Sequence, residues 1–143
     1  MFDTASFVTA VRSREGAAGE VLRRVFRGEV VPLMDHKLAL EYRDVLLRPE
    51  HLEASGFSEG DMLELIEAFE AFAEPVDVLV RHRPLSPDPN DDMVLDLAIN
   101  GKVDSLVTNN AKHFTEAGRR FGVPVMSPAE LLRELREGGE NAD

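Results

Sequence analysis

The chain alternates short apolar runs with stretches that carry the apolar spacing of an α-helix, and this alternation constrains the fold more than any other feature. Strands are predicted where β-branched and other apolar residues run together. These runs are Met1–Asp3, Val30–Met34, Val76–Val80, Ser105–Thr108 and Val123–Met126. They lack a regular polar face, so we expect helices to cover both sides of the sheet. The pattern predicts an α/β chain with a central, mostly parallel sheet.

Helical spacing and capping signals lie between these runs. Three starts carry a capping residue: Asp35, Ser58 with Asp61 three residues on, and Ser127 before Pro-Ala-Glu. The predicted helices are Gly16 to Arg27, one from Asp35 to before Pro49, 58–73, one from Asp91 to Gly101, about 113–121, and one that begins at Ser127.

Length and composition favour a single domain. The 143 residues are 43% hydrophobic, enough for one core. We expect the domain to span residues 1–137, followed by a frayed polar tail at 138–143. The absence of cysteine excludes a disulfide scaffold and a thiolate metal site. Because no apolar run approaches the roughly 20 residues that cross a bilayer, we expect a cytoplasmic protein without a membrane partner.

The net charge of −11 argues at first against nucleic acid as a partner. Its distribution weakens that argument. Residues 49–80 contain nine Asp or Glu and no Lys or Arg, whereas residues 1–48 have eight basic and seven acidic side chains. The acidic excess is therefore concentrated in one segment, and an RNA substrate remains compatible with the sequence.

Polar residues follow two of the predicted strands. Asp3 and Thr4 end the first strand, and Thr108, Asn109 and Asn110 end the strand at 105–108. Ligands of parallel α/β sheets bind outside the carboxyl ends of the strands, so these residues are expected to lie at the functional edge.

Further carboxylates are placed near this edge by the pattern. Asp92 opens the helix that leads into the 105–108 strand, and Glu41 lies within the helix that Asp35 caps. Carboxylates that converge repel each other unless a cation neutralises them, and Mg²⁺ or Mn²⁺ accepts oxygen ligands of this kind. With 27 acids in the chain, each of these residues could equally be a helix cap or a surface group.

Other charged residues have two interpretations. Arg12 and Arg14 come soon after the first strand and are candidates for contacts with RNA phosphates, or they are solvated surface groups. Asp96 lies one helical turn after Asp92. It is interpreted as a solvated neighbour, with a fourth carboxylate as the alternative.

Four blocks in order resemble the PIN-domain ribonucleases. Met-Phe-Asp-Thr-Ala-Ser-Phe-Val-Thr-Ala resembles their opening strand, and Leu-Ala-Leu-Glu-Tyr-Arg-Asp-Val-Leu from Leu38 resembles their glutamate helix. Asp-Pro-Asn-Asp-Asp-Met-Val-Leu-Asp-Leu-Ala from Asp88 resembles the block of their third acid. Val-Asp-Ser-Leu-Val-Thr-Asn-Asn from Val103 resembles their last strand end. The span from Met1 to about Leu132 is most similar to toxins of bacterial toxin–antitoxin pairs related to VapC.

This resemblance implies a PIN-like, Rossmann-like α/β/α sandwich and a Mg²⁺- or Mn²⁺-dependent endoribonuclease with a cognate antitoxin; relatives commonly form homodimers. Asp3, Glu41 and Asp92 match the first three acids of the family. Asn110 matches the position of the fourth, and Thr108 matches the hydroxyl residue at the strand end.

These matches define the leading hypothesis for the site. Asp3, Asp92 and Asn110 would hold the metal ion, and Glu41 would orient or deprotonate the attacking water. Thr108 belongs to the substrate-binding set, and Arg12 and Arg14 would contact the RNA.

The chain departs from the family pattern in three places. Ala5 stands where an asparagine is usual, Asn110 stands where an aspartate is usual, and the first strand starts only two residues before Asp3. A second hypothesis is therefore a catalytically impaired PIN-fold module that binds RNA or a partner protein. A phospho-receiver or phosphatase-like α/β domain is a third hypothesis. It is disfavoured because the predicted strands Val76–Val80 and Ser105–Thr108 run into Arg81 and Asn109, not into an aspartate.

Overall fold

A computed structural model describes residues 1–76, 98, 101 and 104–140. Helices and parallel strands alternate in it, which confirms the α/β prediction. The helices are α1 (Thr4–Arg12), α2 (Ala17–Phe26), α3 (His36–Leu46), α4 (Pro49–Ser55), α5 (Glu59–Phe72), α6 (Ala111–Phe121) and α7 (Pro128–Glu140). The strands are β1 (Leu33–Met34), β2 (Glu74–Pro75), β3 (Leu106–Val107) and β4 (Val125–Met126).

The described strands form two parallel pairs. β1 pairs with β2, with Leu33 opposite Glu74, and β3 pairs with β4, with Leu106 opposite Val125. Phe2 adds a single parallel bridge to Val107. The parallel direction agrees with the sequence, but a continuous central sheet is not seen among the described residues.

The strands are shorter than predicted, and prolines explain part of this. Pro32, Pro75 and Pro124 have no N–H to donate to a neighbouring strand. The strands next to these prolines remain paired, because proline carbonyls still accept hydrogen bonds. The Glu74 N–H donates to the Pro32 carbonyl and the Leu106 N–H to the Pro124 carbonyl, both at 2.8 Å. Beyond Val76, the strand predicted at 76–80 lies outside the described residues, as does most of the helix predicted from Asp91.

The predicted caps are present. The Asp35 side chain accepts from the Leu38 N–H at 2.8 Å, and the Ser127 hydroxyl accepts from the Glu130 N–H at 3.1 Å. Ser58 and Asp61 form a reciprocal capping box at the start of α5. Because these bonds satisfy N–H groups that have no partner inside the helix, a local sequence signal was enough to locate each start.

Two helices were not predicted. α1 contains the β-branched residues Thr4, Val8, Thr9 and Val11, which lower helix propensity, yet it forms with Asp3 as its N-cap. α4 begins at Pro49, which was expected only to mark the end of the preceding helix. Proline suits the first helical position because its missing N–H would have no partner there.

The last helix of the described residues, α7, continues to Glu140. In the part that the structure describes, no helix is both long and apolar enough to cross a membrane.

A cluster of four buried rings lies beneath α1, α3 and α5. Phe7 contacts Tyr42 and Phe69 at centroid distances of 5.1 and 4.8 Å, and Phe2 lies 6.0 Å from Phe7. All four rings are at most 3% exposed. The cluster fixes the backbone at Phe2, directly before the first predicted site residue.

One ion pair connects two of the core helices. Arg43 on α3 donates two hydrogen bonds to the Glu70 carboxylate on α5. Their side chains are 32% and 26% exposed, so solvent screens the pair only in part. The pKa of Arg43 is raised, mainly by the hydrogen bond to Glu70.

We expect Arg43→Gln to lower the free energy of unfolding by about 1 kcal/mol, the upper part of the range for partly exposed pairs. Arg48→Gln is the matched control, because Arg48 pairs with Asp44 while the two side chains are 50% and 75% exposed. Urea unfolding of the two variants measures the difference. Equal losses in both would show that the α3–α5 pair contributes nothing specific.

Candidate functional site

Asp3 lies where the first strand-like segment turns into α1. Its N–H donates to the Val107 carbonyl at 3.3 Å, and its side chain caps the helix by accepting from the Ser6 N–H at 2.9 Å. The residue is 5% exposed. One carboxylate oxygen of Asp3 therefore caps the amino terminus of α1.

Thr108 holds the other carboxylate oxygen. Its hydroxyl donates to Asp3 Oδ2 at 2.5 Å and accepts from the Asn110 N–H at 2.9 Å. Thr108 is fully buried at the carboxyl end of β3. The structure thus brings together two strand ends that are 105 positions apart in the sequence, as the parallel-sheet rule predicts.

Burial and hydrogen bonding act in opposite directions on Asp3. Burial raises the pKa of its carboxyl group, and hydrogen bonds from Ser6 and Thr108 lower it, with a net shift upward. Among the described residues, no basic side chain forms an ion pair with Asp3. The positive amino terminus also lowers the pKa of Asp3, but it is the smallest of the causes, after burial and the hydrogen bonds.

The raised pKa makes stability depend on pH in a defined direction. The folded chain retains the Asp3 proton above about pH 3.9, where the unfolded chain loses it. The contribution of Asp3 is thus complete below that pH and declines as pH rises through the folded-state pKa. In metal-free buffer, the free energy of unfolding of Asp3→Asn should therefore rise relative to that of the parent as the pH is raised from about 4 to 7. Urea unfolding across this range measures the effect, and a constant difference would contradict it.

The surroundings of Glu41 and Asn110, the other described members of the predicted site, differ from each other. Glu41 is half-buried on α3, and its Oε2 atom has no contact with solvent. The pKa of the adjacent Tyr42 is raised by burial and then by the charges of Asp3, Glu41 and Asp35, so each of these carboxylates acts on Tyr42. Asn110 is exposed at the start of α6, and its side chain makes no capping hydrogen bond.

The two remaining acids of the sequence hypothesis, Asp92 and Asp96, lie outside the described residues. Within the described ranges, no group of three or more His, Asp or Glu residues could hold a metal ion. The donors that are described still fit a hard cation, because Asp3 offers carboxylate oxygens and Asn110 an amide oxygen. The fit is supported by the burial of Asp3 without a cationic partner side chain.

The arginines predicted to contact phosphate lie away from Asp3. Arg12 is nine residues along α1 from Asp3, about 13 Å at the helical rise. Arg14 donates to the Ser55 carbonyl at 2.5 Å and stacks over the Phe57 ring at 4.7 Å. Arg12 is exposed, with its guanidinium 3.4 Å from the His51 ring nitrogen. Arg14 thus joins the α1–α2 connection to the end of α4.

Three residues of this region carried no functional expectation from the sequence: Ser6, Thr9 and Tyr42. Ser6 is fully buried, and its hydroxyl accepts from the Asn109 N–H at 3.2 Å. The Asn109 side chain donates to the Thr9 hydroxyl at 3.0 Å, and the Tyr42 hydroxyl donates to the Phe2 carbonyl. Ser6 was detectable, because it occupies the third helical position after a capping aspartate. The other two contacts arise from tertiary packing.

The chain is similar to a known protein family. The family model described as PIN domain matches residues 1–112. This span is more than half of the chain and contains every residue of the predicted site. Neither the curated proteins nor the solved structures include a match to the chain.

Proposed function

The chain belongs to the PIN domain family, and from this premise we propose that it is a metal-dependent endoribonuclease and the toxin of a toxin–antitoxin pair. Members of the family are generally nucleases that bind nucleic acid. One observation carries the proposal for this chain. The Asp3 carboxylate is buried at the carboxyl edge of the β3 pair and is held there by Ser6 and Thr108.

The proposed fold is the PIN-like α/β/α sandwich over residues 1–137, with one central parallel sheet. The parallel direction of both strand pairs supports it. The bridge from Phe2 to Val107 supports it further, because it adds a third parallel partner beside β3 and β4.

Asp3, Asp92 and Asn110 are the proposed ligands of a Mg²⁺ or Mn²⁺ ion. When bound, such an ion lowers the pKa of a coordinated water and offsets charge on the scissile phosphate. The residues of the chain supply orientation. The Ser6 N–H and the Thr108 hydroxyl fix the two oxygens of Asp3, which leaves each with a further lone pair.

Glu41 is the proposed acceptor of the proton from the attacking water. Its carboxylate oxygen Oε2 is shielded from solvent, and a carboxylate can act as a general base toward a water within hydrogen-bond reach. Thr108 is proposed to act through Asp3, because its hydroxyl is fully buried and already bonded to that side chain. Arg12 is the better of the two proposed phosphate contacts, since Arg14 is engaged by Ser55 and Phe57.

The proposed partners are an RNA in the cytoplasm, an antitoxin and a second copy of the chain. The acidic excess of residues 49–80 supports a basic antitoxin segment as a neighbour of α5. Glu59, Glu64 and Glu67 are exposed on this helix, whereas Glu70 is already paired with Arg43. The three exposed glutamates of α5 are therefore the acidic groups proposed to face the antitoxin.

Cleavage of an RNA panel by the purified chain tests the proposed function. We expect cleavage with Mg²⁺ or Mn²⁺ and none after removal of metal by EDTA. Calorimetry with Mn²⁺ on the metal-free protein gives a separate measure of binding, and a concentration of 100 times Kd would stabilise the fold by about 2.7 kcal/mol. Metal-independent cleavage, or no cleavage of any RNA, would contradict the proposal.

A second candidate function is a non-catalytic PIN module. Ala5 and Asn110 motivate it, because each replaces a residue usual in the relatives that the sequence resembles. The geometry weakens the argument from Ala5, since Ser6 and Thr108 hold Asp3 without an amide at position 5. Mn²⁺ binding that depends on Asp3 would count against this alternative.

A further inference from the structure

The side chain of Tyr42 connects the helix that carries Glu41 to the backbone that carries Asp3. Its hydroxyl donates a hydrogen bond to the main-chain carbonyl of Phe2. Glu41 directly precedes Tyr42 on α3, and Asp3 directly follows Phe2. A buried hydrogen bond therefore joins the chain segments of the two carboxylates.

Tyr42 bonds the Phe2 carbonyl on the side opposite to β3, whereas the backbone groups on either side of this carbonyl bond to Val107. The Val107 N–H donates to the Met1 carbonyl at 2.8 Å, and the Asp3 N–H donates to the Val107 carbonyl at 3.3 Å. Successive peptide groups of an extended segment point to opposite sides, so the Phe2 carbonyl faces away from β3. Tyr42 holds the segment from that opposite side.

The position of the hydroxyl is itself fixed by packing. The Tyr42 ring contacts Phe7 at 5.1 Å and Phe69 at 5.7 Å between centroids, and the residue is fully buried. Burial, followed by the charges of Asp3, Glu41 and Asp35, raises the pKa of Tyr42 well above its usual value. The hydroxyl consequently stays protonated and remains a donor.

We propose that Tyr42 is a positioning residue that sets the placement of Asp3 relative to α3. The inference rests on the proposed function, in which Asp3 and Glu41 act on the same reaction. Tyr42 itself is too deeply buried to contact metal or RNA. It should therefore influence metal affinity and turnover, and leave the KM for RNA unchanged.

The test compares Tyr42→Phe with Ile66→Val. The first variant removes one hydroxyl and keeps the ring. The second trims a fully buried side chain on α5 that, being apolar, cannot donate a hydrogen bond to the Phe2 carbonyl. Each is expected to lower Tm by several degrees. The measurements are amide hydrogen exchange at Asp3, Mn²⁺ affinity by calorimetry, and kcat and KM for RNA.

We expect the Asp3 amide to exchange about tenfold faster in Tyr42→Phe than in Ile66→Val, after correction for any difference in Tm between the two variants. Mn²⁺ affinity and kcat are expected to fall about fivefold to tenfold at unchanged KM, because small displacements of reacting groups are costly. Equal exchange at Asp3 in the two variants would overturn the proposal, and so would equal metal affinity and kcat.

Amide exchange separates this inference from the proposed function. A parent protein that neither binds Mn²⁺ nor cleaves RNA would refute the nuclease, while exchange at Asp3 would still decide the role of Tyr42. The chain has a single tyrosine, so 3-fluorotyrosine labels only position 42. If Tyr42→Phe does not fold, the ¹⁹F resonance is compared between the labelled parent and Asp3→Asn. A changed resonance supports the coupling, and an identical one overturns it.

Discussion

Asp3→Asn is expected to reduce metal-dependent RNA cleavage by a factor of about 100 or more, comparable to the loss of one key electrostatic group in an enzyme site. The variant removes the charge at the centre of the proposed metal site and retains the helix cap, because asparagine caps helices as well as aspartate does. The Ser6 N–H keeps an acceptor oxygen in the variant. The fold should therefore persist while activity is lost.

Measurement of cleavage rate and Tm on the same preparations separates these two effects. Asp104→Asn is the matched control, since Asp104 is an exposed aspartate on the amino-terminal side of β3. Wild-type cleavage by Asp3→Asn, or an equal loss in both variants, would rule out Asp3 as a ligand of the catalytic metal.

Thr108→Val is expected to have the largest effect on stability of any substitution at the site. Valine has nearly the same shape as threonine, but it cannot donate to Asp3 or accept from the Asn110 N–H. Loss of the hydroxyl from a fully buried position should lower the free energy of unfolding by about 2 kcal/mol. For a chain of this size, that corresponds to a decrease in Tm of about 7 °C.

Cleavage should decrease with Thr108→Val as well, because Asp3 Oδ2 loses the donor that orients it. Thr108→Ser is the control, since it removes a methyl group and keeps the hydroxyl. Thermal unfolding and cleavage assays are expected to place the serine variant near the parent protein. If serine and valine have the same effect, the hydroxyl has no role in holding Asp3.

Local signals explain which parts of the fold were predictable. Asp35, Ser58 and Ser127 each satisfy backbone groups within a few residues, and the helix starts at all three were predicted correctly. The first helix escaped prediction because its β-branched residues argue against a helix. It is stabilised by burial of Phe7 and Val11, which is a tertiary effect.

The same distinction applies to the candidate site. The proximity of Asp3 and Thr108 followed from a general rule about parallel strand ends. By contrast, Arg14 resembled a free cation in the sequence, and only the fold shows the Ser55 carbonyl and the Phe57 ring against it. The link from Tyr42 to Phe2 spans 40 positions and has no sequence signal.

The pairing of the two strand ends has a consequence during protein synthesis. Asp3 is made 105 positions before Thr108, whose hydroxyl orients it. Contacts between such distant positions form late in folding, because a long loop must close first. A ribosome adds about 5–20 residues per second. For several seconds, therefore, the nascent chain carries Asp3 without the hydroxyl that orients it, and the proposed centre cannot assemble before residue 108 has been made.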